Sequence, residues 1–581
     1  MKRRNLDRRD FLKFTSMGLA GAYLGLRGDP AIARMGGGRR GMGMMGGGQV
    51  AVIDPPPGSP FQDPPVMANQ SRQPGRVEVN LEAKVAPVRI GGVEAQLLTY
   101  NGSYPGPTIK VRRGDRLQVH FKNSLSMLGN NLMGHDRDIT NLHTHGLHVS
   151  PSGNSDNVMI ICKTGETFVY DYDLSKQSAG TLNLYHPHIH GSVAEQMWGG
   201  LVGALEVADE VKALAGYETH LLLLKDISLI GGYPAAYTSM MDYMQGKEGD
   251  MVTVNGQVNP VLRIKLGQVQ RWKIINTSNA RFYRLSLENH PLHVIGTEGG
   301  LLDRPYTMGS VLLSPAERVD LLVKADQGQG NYRLLSLPYN RFGHCMGAMG
   351  ATQQVTLLTL SYSGGRAPDE LVATVNPEAR RVQTAVAKTE QLTLSMGHGM
   401  GMGMMGMGGM GRGMGMMGMG GMGMGRGMGM MGMMGMGQGM AAINGITFEL
   451  AGDSGGPLVL HGSDGQGHGT GAGDPHGKMI GHTIHSKVGT YEIWEIFNHS
   501  MMDHPFHQHV NSCQVLAVYG GDPEYAALYT TAPAWKDVVL VPAMGSVRVL
   551  MPVMDFDGTS MFHCHIVEHE DMGMMGIWNI S

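Results

Sequence analysis

Cysteine is scarce: the 581 residues contain four, Cys162, Cys345, Cys513 and Cys564. A disulfide framework therefore does not hold the fold together; one bridge can form, and the sequence does not say between which residues. Charge is sparse too. Charged side chains make up 16%, with 46 basic against 49 acidic, which leaves no basic field for nucleic acid and no acidic tail. Beyond the N-terminal segment no run approaches the roughly eighteen consecutive apolar residues of a membrane span, so none is expected. What is abundant is unusual: 87 Gly, 48 Met and 25 His. So much glycine argues against helix-rich domains and for strands joined by loops. Methionine with histidine points to soft and borderline metals, copper above all. The length exceeds what one hydrophobic core supports, so several domains are expected.

Residues 1–33 read as an export segment rather than as part of the fold. Arg8-Arg9 precedes Asp10-Phe11-Leu12-Lys13, a weakly apolar run from Phe14 to Leu26, and Ala31-Ile32-Ala33 as a cleavage site. This order resembles a twin-arginine signal, which implies the twin-arginine export machinery as a partner and a periplasmic or secreted destination for a folded protein. Residues 34–70, rich in Gly, Met and Pro, read as a flexible arm.

From about residue 75, short alternating runs such as Val77–Leu81, Arg116–Phe121 and Thr167–Tyr172 are separated by Gly, Pro and Asn, the signature of antiparallel sandwiches. One pattern occurs three times: a strand-like segment ending in Asn123, Asn276 or Asn498, a turn, and then a histidine-bearing strand. Three copies of one sandwich explain it most simply. The expected units are 71–210, 211–375 and 390–581, with 376–389 as a linker. Within the third, residues 396–440 hold 20 Met and 21 Gly, with only His398, Arg412, Arg426 and Gln438 besides. That tract contains no β-branched residue and too much glycine for a helix, so it reads as an insertion without regular structure. A second flexible loop is expected at 452–488, carrying His461, His468, His476, His482 and His485.

Four histidine clusters carry the chemistry: His143-Thr-His145, His186-Pro-His188, His504-Pro-Phe-His507-Gln-His509, and His563-Cys564-His565 with His569 beyond. Residues i and i+2 of a strand face one side, so each His-x-His pair can present two imidazoles to one site. Any one pair could be core histidines; four pairs supply eight ligands, about right for three metal ions. His504, Cys564 and His569 remain as a separate set. Two imidazoles and a thiolate beneath a weak thioether make a blue-copper electron-transfer site. Met574 is the best thioether by position, and spacing alone leaves Met572 and Met575 open.

These motifs, His143-Thr-His145-Gly146, Tyr185-His186-Pro187-His188, His504 to His509, and His563 to Met574, resemble the four ordered copper motifs of the three-domain multicopper oxidases, a family that includes laccases, bilirubin oxidases and bacterial cuprous oxidases. The resemblance covers about 75–581 and implies an all-β chain of three consecutive cupredoxin-like Greek-key β-sandwiches. It implies four copper ions: type 2 on His143 and His507, one type 3 on His145, His186 and His565, the other type 3 on His188, His509 and His563, and type 1 on His504, Cys564, His569 and Met574. It places Asp156 and Glu570 as proton-supplying carboxylates, and it makes O₂ the electron acceptor. Cys564, bonded on either side to His563 and His565, would link the two centres. The chain departs from the usual pattern at Gln508 and Val510, where Leu and Gly are common, so local packing is expected to differ. The middle unit keeps His290 and His293 without a cysteine-bearing partner, and both read as structural.

Three functions compete. The Met-rich insertion favours a cuprous oxidase binding additional Cu(I), because thioethers bind Cu(I) and flexible Gly spacing lets several converge. A laccase acting on phenols or aromatic amines is the alternative. A copper-sequestering or electron-carrying protein would not need the eight clustered histidines. A monomer is expected.

Overall fold

The computed structural model describes residues 52–342, 353–397, 441–450 and 479–581. Six large sheets pair into three consecutive sandwiches, each cupredoxin-like. In the first, strands 93–100, 76–90, 116–123 and 167–173 form one sheet and 106–111, 203–207, 182–186 and 143–145 the other. The second and third repeat this plan with larger sheets. In each unit a strand runs parallel to the one ending in the recurrent asparagine: Arg76–Ile90 beside Arg116–Asn123, Glu218–Ile227 beside Val269–Asn276, and Lys388–Met396 beside Thr490–Asn498.

The asparagines explain their own recurrence. All three are fully buried. Asn123 donates to the carbonyls of Asp138 and Cys162, Asn276 to those of Arg281 and Leu313, and Asn498 to those of Met502 and Val541. Each side-chain oxygen accepts the backbone N–H two residues on, at 2.9, 3.0 and 2.9 Å. One buried amide thus satisfies the carbonyls of the turn that carries the chain toward the next strand, which apolar residues cannot do.

Two segments expected to be loose are partly ordered. Within the arm 34–70, Val52–Ile53 pairs with Gln354–Val355, and Pro60 and Val66 bridge to Val261 and Thr108, so free backbone groups at sheet edges hold it. Within the loop 452–488, His482–Ser486 is a strand parallel to Gly576–Ile580, and the alternation of Thr483 and His485 with buried Ile484 and Ser486 suits a half-buried strand. The insertion 396–440 lies outside the described residues except Met396, which ends its strand, and Gly397. Met396 pairs directly with Ala441, so the tract leaves and re-enters the fold at adjacent positions of one sheet. Cys162, Cys513 and Cys564 are buried free thiols; Cys345 lies outside the described residues. No helix among the described residues is long and apolar enough to cross a membrane.

Candidate metal centres

The third sandwich builds the first centre alone. His504 begins strand His504–Gln508, Cys564 ends strand Gly558–Cys564, and His569 sits in the short helix Val567–Asp571. His504 Nδ1 lies 3.3 Å from Cys564 Sγ, His569 Nδ1 lies 3.7 Å from the same sulfur, and the two Nδ1 atoms are 3.3 Å apart. All three side chains are fully buried. His504 Nε2 meets Ser500 Oγ at 2.8 Å, and His569 Nε2 donates to the Met244 carbonyl at 3.2 Å. Those partners place the ring protons on Nε2 and turn both Nδ1 lone pairs toward the sulfur, the arrangement that metal-bound histidines need. Burial pushes the Cys564 thiol well above its usual range, so only a nearby cation would favour the thiolate here.

Met574 is tied to this centre through its backbone: its carbonyl accepts from Cys564 N at 3.0 Å and its N–H donates to the His569 carbonyl at 2.9 Å. Its side chain packs in the same core cluster as Cys564 and Met572. Met575 packs in a separate cluster with Phe448, Met561 and Ile577, which sets it apart as a thioether candidate.

The second centre lies between the first and third sandwiches. His188 Nε2 and His509 Nε2 stand 3.2 and 3.1 Å from His563 Nε2, and His565 Nε2 is 3.1 Å from His145 Nδ1. His143 groups with His145 and His186 on one side, and with His507 and His509 on the other. The structure therefore brings all eight histidines together, and no residue is more than 3% exposed. Their outer nitrogens are engaged: His143 Nδ1 with Asp156 at 2.9 Å, His507 Nδ1 with the Asp537 carbonyl at 2.7 Å, His186 Nδ1 with the Pro187 carbonyl at 2.8 Å. The Nε2 atoms of His143, His186 and His507 are buried with no hydrogen-bond partner. Buried polar atoms are rarely left so, and three imidazoles aimed into one space fit bound metal ions. Burial first, then neighbouring imidazoles, holds His145, His507 and His565 well below the usual histidine range, so they present neutral, ligand-competent rings.

The two carboxylates flank this cluster. Asp156 accepts from His143 Nδ1, and also from Thr144 N at 2.8 Å. Glu570 is fully buried, with oxygens 3.3 Å from His563 Nδ1 and 3.5 Å from His188 Nδ1, neither in hydrogen-bonding alignment. Burial, aided by Asp571, raises its carboxyl well above the usual range. Middle-unit His290 bonds Glu288 and Tyr362, and His293 meets Thr307, so both have local partners.

Sequence reasoning missed Asp537 and Arg318. Asp537 meets His145 Nε2 at 3.0 Å through its side chain while its carbonyl holds His507. Arg318, from the middle sandwich and fully buried, donates to both Asp537 oxygens at 2.6 and 2.5 Å and to the Leu182 carbonyl at 2.7 Å. One guanidinium thus joins three sandwiches behind the cluster. Gly146, after the first histidine pair, has φ +92°, and a Cβ there would lie 2.4 Å from Arg318 Nη2. Glycine is needed on both counts. The available signal was weak: Lys536-Asp537 stands immediately before the buried run Val538–Val541, an unusual place for charge.

The departures from the usual motif have local consequences. Val510 takes φ +58°, a left-handed conformation that costs a β-branched residue energy and suits glycine. Gln508 Nε2 donates to the carbonyls of Asn511 and Lys536, bracing the same turn.

Sequence models of the multicopper oxidase family match residues 83–212, 232–364 and 458–581, one in each sandwich. The chain belongs to the three-domain multicopper oxidases. A Bacillus subtilis laccase is 27% identical over 575 residues, 90% of this chain and 97% of that protein. A Staphylococcus aureus multicopper oxidase is 26% identical over 488 residues, 82% of this chain and 83% of that one. Among solved structures, a Campylobacter jejuni multicopper oxidase described as a metallo-oxidase has TM-score 0.69 at 26% identity, covering 91% of this chain and 98% of that one. As a multicopper oxidase the protein is a copper-dependent oxidoreductase.

Proposed function

We propose that this multicopper oxidase couples oxidation of Cu(I) to reduction of O₂: four Cu(I) and four protons with one O₂ give four Cu(II) and two waters. Copper at the two centres supplies one-electron acceptance at the first and multi-electron delivery to oxygen at the second. In this reading His504, Cys564, His569 and Met574 hold the type 1 ion. His143 and His507 hold type 2, and His145, His186, His565 with His188, His509, His563 hold the type 3 pair. The chain's own contribution is geometric. Cys564 is bonded to His563 and His565, whose rings face the second centre, so two short covalent paths, one through each neighbour, join the sites. Asp156 and Glu570 stand where protons are required, each against an outer nitrogen of a cluster histidine.

The observation that carries the Cu(I) reading is the tract of 20 Met and 21 Gly at 396–440, a dense supply of soft ligands. Further methionines lie on segments that touch the type 1 residues: helix Met240–Gln245, whose Met244 carbonyl accepts from His569 Nε2, bears Met240, Met241 and Met244, and Met501 follows Ser500. Met241 and Met501 are each 48% exposed. The second reading, oxidation of phenols or aromatic amines, is favoured by likeness to a protein named laccase. The twin-arginine pattern in 1–33, outside the described residues, supports export in the folded state.

Deleting 400–438 and closing the gap with a short Gly/Ser turn tests the substrate. Because Met396 and Ala441 pair directly, the sandwich should survive. kcat/KM for low Cu(I) should fall while that for a bulky dye stays level or rises, at matched copper occupancy. Unchanged values for both substrates would leave organic oxidation as the better reading.

A further inference from the structure

A small cavity opens between the first and third sandwiches on the outer side of His188, bordering the histidine cluster and away from the cysteine centre. Met159, His190, Phe448, Met561 and Met575 line it with His188, and the rest of its wall is aliphatic. It has room for one water-sized occupant, about 20 Å³. No carboxylate, lysine or arginine lines it.

Strand register places its sulfurs against the oxygen-reducing cluster. Met561 and His563 alternate along one strand and so share a face, and Met575 pairs directly with His563 on the neighbouring strand. His190 follows His188 by two residues. Its Nδ1 is buried with no hydrogen-bond partner, and its ring meets Phe448 edge-on at 5.1 Å. Methionines that merely fill a core gap would not explain an imidazole nitrogen left unpaired among them. The donors are graded in depth: His190 and Met159 are half-buried, whereas Met561 and Met575 are each 2% exposed.

We propose that this cavity is a soft-metal site that binds Cu(I) through His190, Met159, Met561 and Met575 and stages copper on its way to the trinuclear histidines. One imidazole with three thioethers and no carboxylate selects a soft monovalent ion against Ca²⁺, Mg²⁺ or Mn²⁺. An uncharged donor set also buries one positive charge at less cost than two. The eight cluster histidines, at most 3% exposed, need an entry path, and this cavity adjoins His188. The step exchanges thioether sulfurs for imidazole nitrogens and moves no electron. It would serve a cuprous oxidase and a laccase alike, so it stands apart from the choice of reductant.

Crystals of the copper-loaded full chain soaked in Ag(I), a redox-inert soft ion, test the site. Anomalous density should appear in the cavity, bonded to His190 and at least two of the sulfurs. His190→Leu, and separately Met561→Leu with Met575→Leu, should each lose that density while silver elsewhere is retained. Copper-depleted full chain reloaded with Cu(I) for timed intervals, freed of unbound copper and then oxidised with O₂ should regain its type 2 Cu(II) electron-spin signal roughly tenfold more slowly in either variant and still reach the parent copper content. Silver bound elsewhere but absent from the cavity overturns the site. Xenon filling the cavity where silver does not would make it a gas pocket and overturn it too. Reloading at the parent rate in a variant that has lost cavity silver overturns the staging role.

Discussion

The two centres are built on opposite plans. The cysteine centre takes all its close donors from one sandwich, from strands and a helix that lie side by side in the third unit. The histidine cluster draws on two sandwiches, and its outer shell reaches a third through Arg318. A site confined to one domain is positioned by that domain's own core. A site at an interface holds its geometry only while the interface holds, so it depends on buried charges that carry no ligand. The middle sandwich, whose His290 and His293 are occupied locally, still touches both centres through the Met244 carbonyl and Arg318.

The sharpest way to break this contrast is to remove the sulfur. Cys564→Ser should abolish the intense blue absorption and steady-state turnover, while the type 2 signal of the histidine cluster persists. A copper-loaded variant that stays blue would mean the centre is elsewhere.

Arg318→Ala should strike the other side. It leaves the buried Asp537 carboxylate without its guanidinium, with His145 as its close side-chain partner, which should cost about 3–5 kcal/mol in denaturant unfolding. Copper should be lost from the histidine cluster before the blue colour fades. Asp537→Asn keeps the shape and removes the charge; it should weaken copper binding at the cluster by about 10- to 100-fold, measured by competition with a chelator. If both variants lost blue colour and cluster copper in parallel, the centres would not be separately supported.

Removing copper from the intact protein should lower its melting temperature, because ions bridging two sandwiches stabilise the folded state by about 3 kcal/mol or more at occupancies far above Kd. Differential scanning calorimetry of copper-free and copper-loaded protein reads this, and equal melting temperatures would show that the ligands do not bridge. The smallest effect belongs to Ser500→Ala. Losing one hydrogen bond to His504 Nε2 should cost about 1 kcal/mol and shift the blue band, with the type 2 signal unaltered.

The same contrast governs what the sequence revealed. Asn123, Asn276 and Asn498 announced three related units because one buried amide does the same work in each. The histidine pairs were legible because strand alternation turns i and i+2 to one side, and the structure brings those side chains together. Arg318 was not legible. Its role rests on contacts with Asp537, far along the chain, and with the Leu182 carbonyl, which no residue type betrays. The Met244 carbonyl beneath His569 was hidden for the same reason. Residues 52–70 looked like free arm because proline recurs through them, yet the sheet edges they cover are long-range features. His482–Ser486 was masked by the Gly- and His-rich stretch before it, although its own alternation is strand-like.

The division into an electron-accepting centre and an oxygen-reducing centre is tested most directly by His507→Ala in anaerobic stopped-flow. The variant, fully folded and blue, is mixed with reductant without oxygen and then with oxygen. The blue band should bleach at about the parent rate, because His507 does not touch the Cys564 centre, and should fail to return at the parent rate when oxygen is admitted. Loss of the bleaching phase in a well-folded, blue variant would contradict the division.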